Sequence, residues 1–189
     1  MRFVVLLWLA LLSGCALLPP ATAPAARPSQ PEAASFALNG RIAVRHDGTR
    51  HTAGLRWMHQ AQSDEVLLLA PLGQTAARVY RDASGATLDD GARHFQAADA
   101  ESLMQQVLGW QLPLNGLHYW VLALPQAESQ AQIERDAEGR IAVLRQDGWE
   151  VRYERYAGDK ADSLPSRLQL SRGELQVQLL IDEWEFLQP

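Results

Sequence analysis

Residues 36–59 read FALNGRIAVRHDGTRHTAGLRWMH, and their alternation sets the class of fold. Phe36, Leu38, Gly40, Ile42 and Val44 fall on one side of an extended chain, with Asn39, Arg41 and Arg45 on the other. Ala53, Leu55, Trp57 and His59 then alternate with Thr52, Arg56 and Met58, and Asp47-Gly48 between the two runs is a tight-turn signal. The stretch therefore predicts a hairpin with one buried face. Working outward, Val66 to Ala70 is continuously apolar and Ala76 to Arg81 is mixed. Ala86 to Leu88 and Arg93 to Gln96 form a short hairpin about Asp90-Gly91. Ile141 to Arg145, Trp149 to Tyr156, Leu168 to Ser171 and Leu175 to Ile181 are further strands, separated by Asp147-Gly148, Ala157-Gly158-Asp159 and Arg172-Gly173. The pattern is that of a meandering antiparallel sheet.

Two stretches have helical spacing instead. After Asp99, a capping residue, Ala100, Leu103, Met104, Val107 and Leu108 form one apolar stripe that Gly109 ends. A second helix is expected from about Leu114 to Leu122, with Leu117, Trp120 and Val121 inward, although Pro113 and Gly116 blur its start. Roughly nine strands with two helices give an α+β class, a curved sheet or open barrel with helices over one mouth.

The first 34 residues do not fit that scheme. Arg2 and the apolar run Phe3 to Leu12 have the layout of an export signal too short to span a bilayer. The run ends in Leu12-Ser13-Gly14-Cys15, which resembles the lipobox of bacterial lipoprotein precursors. Cys15 is the single cysteine of the chain, so no disulfide framework is available and its expected use is lipid attachment. Residues 1–14 are then a signal peptide and 15–34 a lipidated Cys with a Pro/Ala-rich tether through Pro19, Pro20, Pro24, Pro28 and Pro31. Residues 35–189 are one domain of ordinary size. Lipoproteins kept at the inner membrane carry Asp after the modified Cys; Ala16 here implies sorting to the outer membrane.

Loss of Arg2 leaves 16 of the 17 basic residues against 22 acidic ones, a formal charge of −6, which argues against nucleic acid as a partner. His46, His51, His59, His94 and His118 are scattered without ligand spacing. No nucleophile elbow or phosphate-cradling loop is present, so neither an enzyme nor a cofactor is expected. The pairs Asp89-Asp90 and Asp182-Glu183 do not suggest a shared acid–base site. Aromatic residues on strands fit a packed core or the wall of an apolar cavity, and pattern alone does not choose between them. Trp57, Leu67, Leu69, Trp120, Trp149, Tyr153 and Leu168 are the candidates for that cavity or core.

Asn39-Gly40-Arg41-Ile42-Ala43-Val44, Leu55-Arg56-Trp57, Leu67 to Thr75, Leu108-Gly109-Trp110, Leu112-Pro113-Leu114, Tyr119-Trp120, Gln146-Asp147-Gly148-Trp149, Tyr153, Leu164-Pro165 and Trp184 together resemble the LolB family of outer-membrane lipoprotein receptors. The resemblance spans nearly the whole domain in order. It implies an unclosed, strongly curved antiparallel β-barrel whose helices cap an apolar cavity for acyl chains. It implies as partners the periplasmic carrier LolA, acylated lipoprotein cargo and outer-membrane lipid, with insertion into the inner leaflet. Carried over residue by residue, it places the family's protruding membrane-contact residue at Leu72, in the turn Pro71-Leu72-Gly73. Nothing in the sequence calls for an oligomer, and a monomer is expected. The rival readings are a structural envelope lipoprotein with a filled β core and an envelope hydrolase, for which no catalytic cluster is recognisable.

Overall fold

The computed structural model describes residues 26–30, 34–111 and 113–187. The signal segment, Cys15 and most of the tether lie outside the described residues. Strands β1 (Ser35–His46), β2 (Thr49–Gln60), β3 (Ser63–Leu69), β4 (Thr75–Asp82), β5 (Gly85–Asp89) and β6 (His94–Ala97) are followed by helices α1 (Ala100–Leu108) and α2 (Leu114–Val121). Strands β7 (Ala131–Arg135), β8 (Ile141–Gln146), β9 (Trp149–Tyr156), β10 (Pro165–Arg172) and β11 (Leu175–Leu187) complete the chain. All eleven strands form one antiparallel sheet in the order β6-β5-β4-β3-β2-β1-β11-β10-β9-β8-β7. The sheet is two meanders joined through the first and last strands. Among the described residues the edges β6 and β7 do not pair with each other, so the sheet is unclosed.

The opening hairpin forms where the alternation placed it. Asp47 and Gly48 both take positive φ, 48° and 73°, the twist that a two-residue hairpin turn needs. Phe36, Leu38, Ile42, Val44, Leu55, Trp57 and His59 are buried on the inner face, the one the helices cover. Gly40 is required by packing. A Cβ at that position would overlap the carbonyl oxygen of Leu180, because β11 crosses close beside the bulge between Asn39 and Gly40.

That bulge also explains why β11 runs past Ile181. Register passes from Gly40 opposite Ile181 to Asn39 opposite Glu183, skipping Asp182, and Trp184 and Phe186 then pack back against the core. Asp182 accepts from Arg41 (3.1 Å) and Glu183 from Asn39 (3.1 Å), so the acid pair ties β11 to β1. Strand β7 has no counterpart in the periodicity. It is an exposed edge whose Ile133 is itself exposed, and a strand buried on neither face shows no alternation. The linker expected to run to Ala34 is tied to the domain earlier. Ala26 bridges to Ser163, the Arg27 amide donates to the Asp162 carbonyl (2.8 Å), and Arg27 Nε donates to the Leu122 carbonyl (2.9 Å).

The helices follow their local signals. Asp99 Oδ1 accepts from the Ser102 amide (2.7 Å), and Gly109 closes α1 through its amide to the Gln105 carbonyl (3.1 Å). Helix α2 begins after Pro113 with no side-chain cap of its own. Glu101 Oε1 on α1 accepts the Leu114 amide instead (3.1 Å), so one helix caps the next.

Gly40→Ala should cost about 3 kcal/mol, because the obstructing atom is backbone and cannot turn aside. Urea unfolding of the two proteins checks it: a large fall in midpoint at unchanged slope is expected.

Candidate functional site

The inner face is filled at one end and hollow at the other. Under α2 the filling is complete. Trp120 and Trp149 lie 6.1 Å apart between ring centres, with Val151, Leu168 and Leu170 buried around them. Trp149 Nε1 is buried there without a partner, whereas its neighbours are bonded. Trp120 Nε1 donates to Gln146 Oε1 (3.0 Å), Gln146 Nε2 donates to the carbonyls of Gln126 (2.8 Å) and Ser129 (3.0 Å), and Tyr153 donates to the Trp120 carbonyl (2.8 Å). Burial pushes the Tyr153 phenol well above its ordinary range, so it is a permanent donor.

The other flank of α2 is held by a buried carboxylate. Asp64 on β3 is 1% exposed and accepts from Trp57 Nε1 (2.6 Å), His59 Nδ1 (2.8 Å) and Arg81 Nε. Burial alone would raise its pKa, but the His59 hydrogen bond and the charges of His59 and Arg81 more than offset that and leave it lowered. Arg81 reaches on to Asn115 Oδ1 (2.7 Å), and His118 stacks on His59 at 4.6 Å between ring centres. Both Asn115 and His118 are on α2, so this helix is pinned at β2–β4 and at β8–β9.

Helix α1 roofs a different space. Between it and strands β1–β4 lies an apolar pocket of about 440 Å³, within the range of small-molecule sites. Ile42 and Val44 of β1, Ala53 of β2, Val66 and Leu68 of β3 and Val79 of β4 form its floor. Met104 and Val107 of α1, with Trp110 and Leu114 just beyond, form its roof, and His51 and Thr52 add the polar part of the rim. Its floor strand β3 runs on into the turn Ala70 to Gln74. There the Gly73 amide donates to the Ala70 carbonyl (2.8 Å), Gly73 takes a φ of 81°, and Leu72 is 86% exposed. No other large apolar side chain among the described residues is nearly so exposed.

The residues expected at a cavity divide accordingly. Trp57, Trp120, Trp149, Tyr153 and Leu168 are buried in the filled part, and none of them lines the pocket. Leu67 and Leu69 stand on the outer face, half-buried. Val66 and Leu68 hold the inward places, a correction whose cause is that a continuous apolar run carries no alternation to choose its face. Met104 and Val107, which do line the pocket, were legible only as an apolar helix stripe.

An open antiparallel sheet with two helices across one face is the fold of a solved LolA superfamily protein from Nitrosomonas europaea. The TM-score is 0.52 at 10% identity, covering 83% of this chain and 88% of that one. The family is narrower. Residues 34–184 match the family described as outer membrane lipoprotein LolB. The protein named outer-membrane lipoprotein LolB in Nitrosomonas europaea is 40% identical over 153 residues, 79% of this chain and 72% of that protein. Its namesake in Azoarcus sp. is 40% identical over 182 residues, 95% of this chain and 92% of that protein. The chain belongs to the LolB family.

His118 makes the α2 clamp sensitive to acid. Burial, then the neighbouring His59, lowers its pKa from 6.5 to about 4, and its Nδ1 is buried without a partner. The unfolded chain takes up this proton near pH 6.5 and the folded chain only near 4. Stability should therefore fall as pH drops through that interval, at no more than about 1.4 kcal/mol per pH unit for one proton. Urea unfolding at several pH values checks this, and His118→Phe, which keeps the stacking, should flatten the slope.

Proposed function

We propose that this protein is an outer-membrane lipoprotein, anchored through lipid on Cys15 and facing the periplasm. It accepts lipoproteins from the soluble carrier LolA and inserts them into the inner leaflet of the outer membrane. The reading rests on family membership. The one observation in the fold that carries it is the continuity of β3: Val66 and Leu68 line an apolar pocket, and the same strand leads directly to Leu72, exposed at a turn tip. In this reading the sheet bends round the pocket as an unclosed, strongly curved barrel and α1 is its movable cover. Leu67, Leu69 and the filled-core aromatics support the wall without touching acyl chains. The protein acts alone and makes or breaks no bond.

Transfer energetics supply the mechanism. Each methylene kept from water is worth about 0.8 kcal/mol, so exposed acyl chains are prohibitive and shielding has to be continuous. A pocket with an irregular rim of Trp110, His51 and Thr52 is a poorer solvent for acyl chains than a fluid bilayer. Handoff then needs only a downhill order of affinities from carrier to receptor to membrane. Leu72 disturbs the lipid surface at the point of release.

Pull-down of cargo from a carrier–lipoprotein complex onto the purified protein with Cys15→Ala tests acceptance directly. Movement of cargo is expected, and its absence with a folded protein would favour a purely structural envelope role. Leu68→Asn should reduce cargo acceptance about tenfold, since an unpaired amide in an apolar pocket costs roughly 1–3 kcal/mol. Leu72→Glu should leave folding and acceptance nearly intact while slowing delivery to liposomes, and unimpaired delivery would refute the assignment of that turn.

A further inference from the structure

The outer face of the sheet is laced with ion pairs. Arg41 meets Asp182 at 3.1 Å, Arg78 meets Glu65 at 2.6 Å, Arg152 meets Glu150 at 2.7 Å and Arg167 meets Glu154 at 2.7 Å. One rung departs from this. Arg45 on β1 and Arg50 on β2 stand directly opposite each other, both exposed, and among the described residues neither has a carboxylate within ion-pair distance. Asp47, the acid between them in sequence, lies 3.4 Å from His46 instead. Like charges directly opposite weaken a strand pair, so the fold itself gains nothing from this rung.

Its surroundings suit an anion. Arg45 is opposite Gln176 on β11, and Gln178 and Gln169 continue the same face, so the depression around the two guanidiniums is lined by amide donors and contains no carboxylate. Arg50 also borders a second depression whose other wall includes Leu69 and Pro71. The rung therefore adjoins the turn that carries Leu72.

We propose that Arg45 and Arg50 bind the phosphate of anionic phospholipid headgroups when the Pro71-Leu72-Gly73 turn meets the bilayer. The proposal rests on the membrane-contact reading of Leu72 given above. Guanidinium forks match phosphate oxygens in geometry and charge, and an apolar tip beside a basic pair combines two weak membrane signals into one useful contact. An acidic protein surface would also suit two arginines. The 86% exposed Leu72 alongside them has no use for such a partner and favours lipid. The overall negative charge of the chain makes the contact local, so it orients the domain without adhering it broadly.

The acylated protein, reconstituted into phosphatidylcholine vesicles with or without a third of phosphatidylglycerol, is followed by amide hydrogen exchange. Protection of residues 70–74 on both vesicle types reports the Leu72 contact. Protection of residues 45–50 only with phosphatidylglycerol, lost at high salt, is the expected result for the arginine rung. It should fall roughly fivefold for each of Arg45→Gln and Arg50→Gln, which corresponds to about 1 kcal/mol per basic residue at an anionic surface. Protection at 70–74 with none at 45–50 would overturn the rung and leave the Leu72 reading standing. Equal protection of 45–50 on both vesicle types would also overturn it. So would protection by inorganic phosphate alone at the same strength, or protection that appears only when an acidic carrier protein is added.

Discussion

A chain that leaves its sheet at one edge and re-enters it at the other has to cross a face. Here that crossing is the connection from β6 to β7, and both helices lie within it. Everything that distinguishes the two sides of the sheet follows from this route. The covered face needs apolar side chains at every other position, and the uncovered one carries the ion pairs. The crossing also decides where the interior is hollow. Bulky α2, with Leu117 and Trp120, fills its half, whereas α1 stands off β1–β4 and leaves a pocket.

The two helices are secured in different ways. Helix α2 is held by polar bonds made in a dry interior, where an unmet partner costs more than the bond itself contributes. Asp64 with its three donors and Gln146 with its four bonds are of this kind. Helix α1 packs on β4–β6, with Ala100 and Leu103 buried there, covers the pocket with Met104 and Val107, and is linked through Glu101 to the start of α2. Apolar contacts have no preferred direction, so α2 is fixed by directed bonds and α1 by apolar packing.

Much of this was legible in the residues, and the exceptions share a cause. Alternation found β1 and β2 because each has one wet and one dry face, and Asp99 and Gly109 bracketed α1 because caps are local chemistry. Val66 to Ala70, apolar on both faces, hid which leucines point inward. Strand β7, wet on both faces, hid its existence. The second half of β11 was obscured by Asp182, which looks like the end of a strand and is in fact the residue that the bulge sets outside the ladder. Aromatic content could not separate filled core from cavity, because burial in either place selects the same side chains. Leu72 stood out only through the resemblance, since one exposed leucine is ordinary on a protein surface.

The pairing of β1 with β11 has a consequence in time. Ser35 lies opposite Leu187, so the strand made first waits for the strand made last. Until that strand arrives, β1 has a free edge twelve residues long, a template on which other chains can add. Contacts this remote in sequence form slowly, and they seal the sheet only once β11 has been made. The interior is therefore unfinished while the chain is still emerging, and a copy that stops before β11 lacks the centre of its sheet rather than its margin.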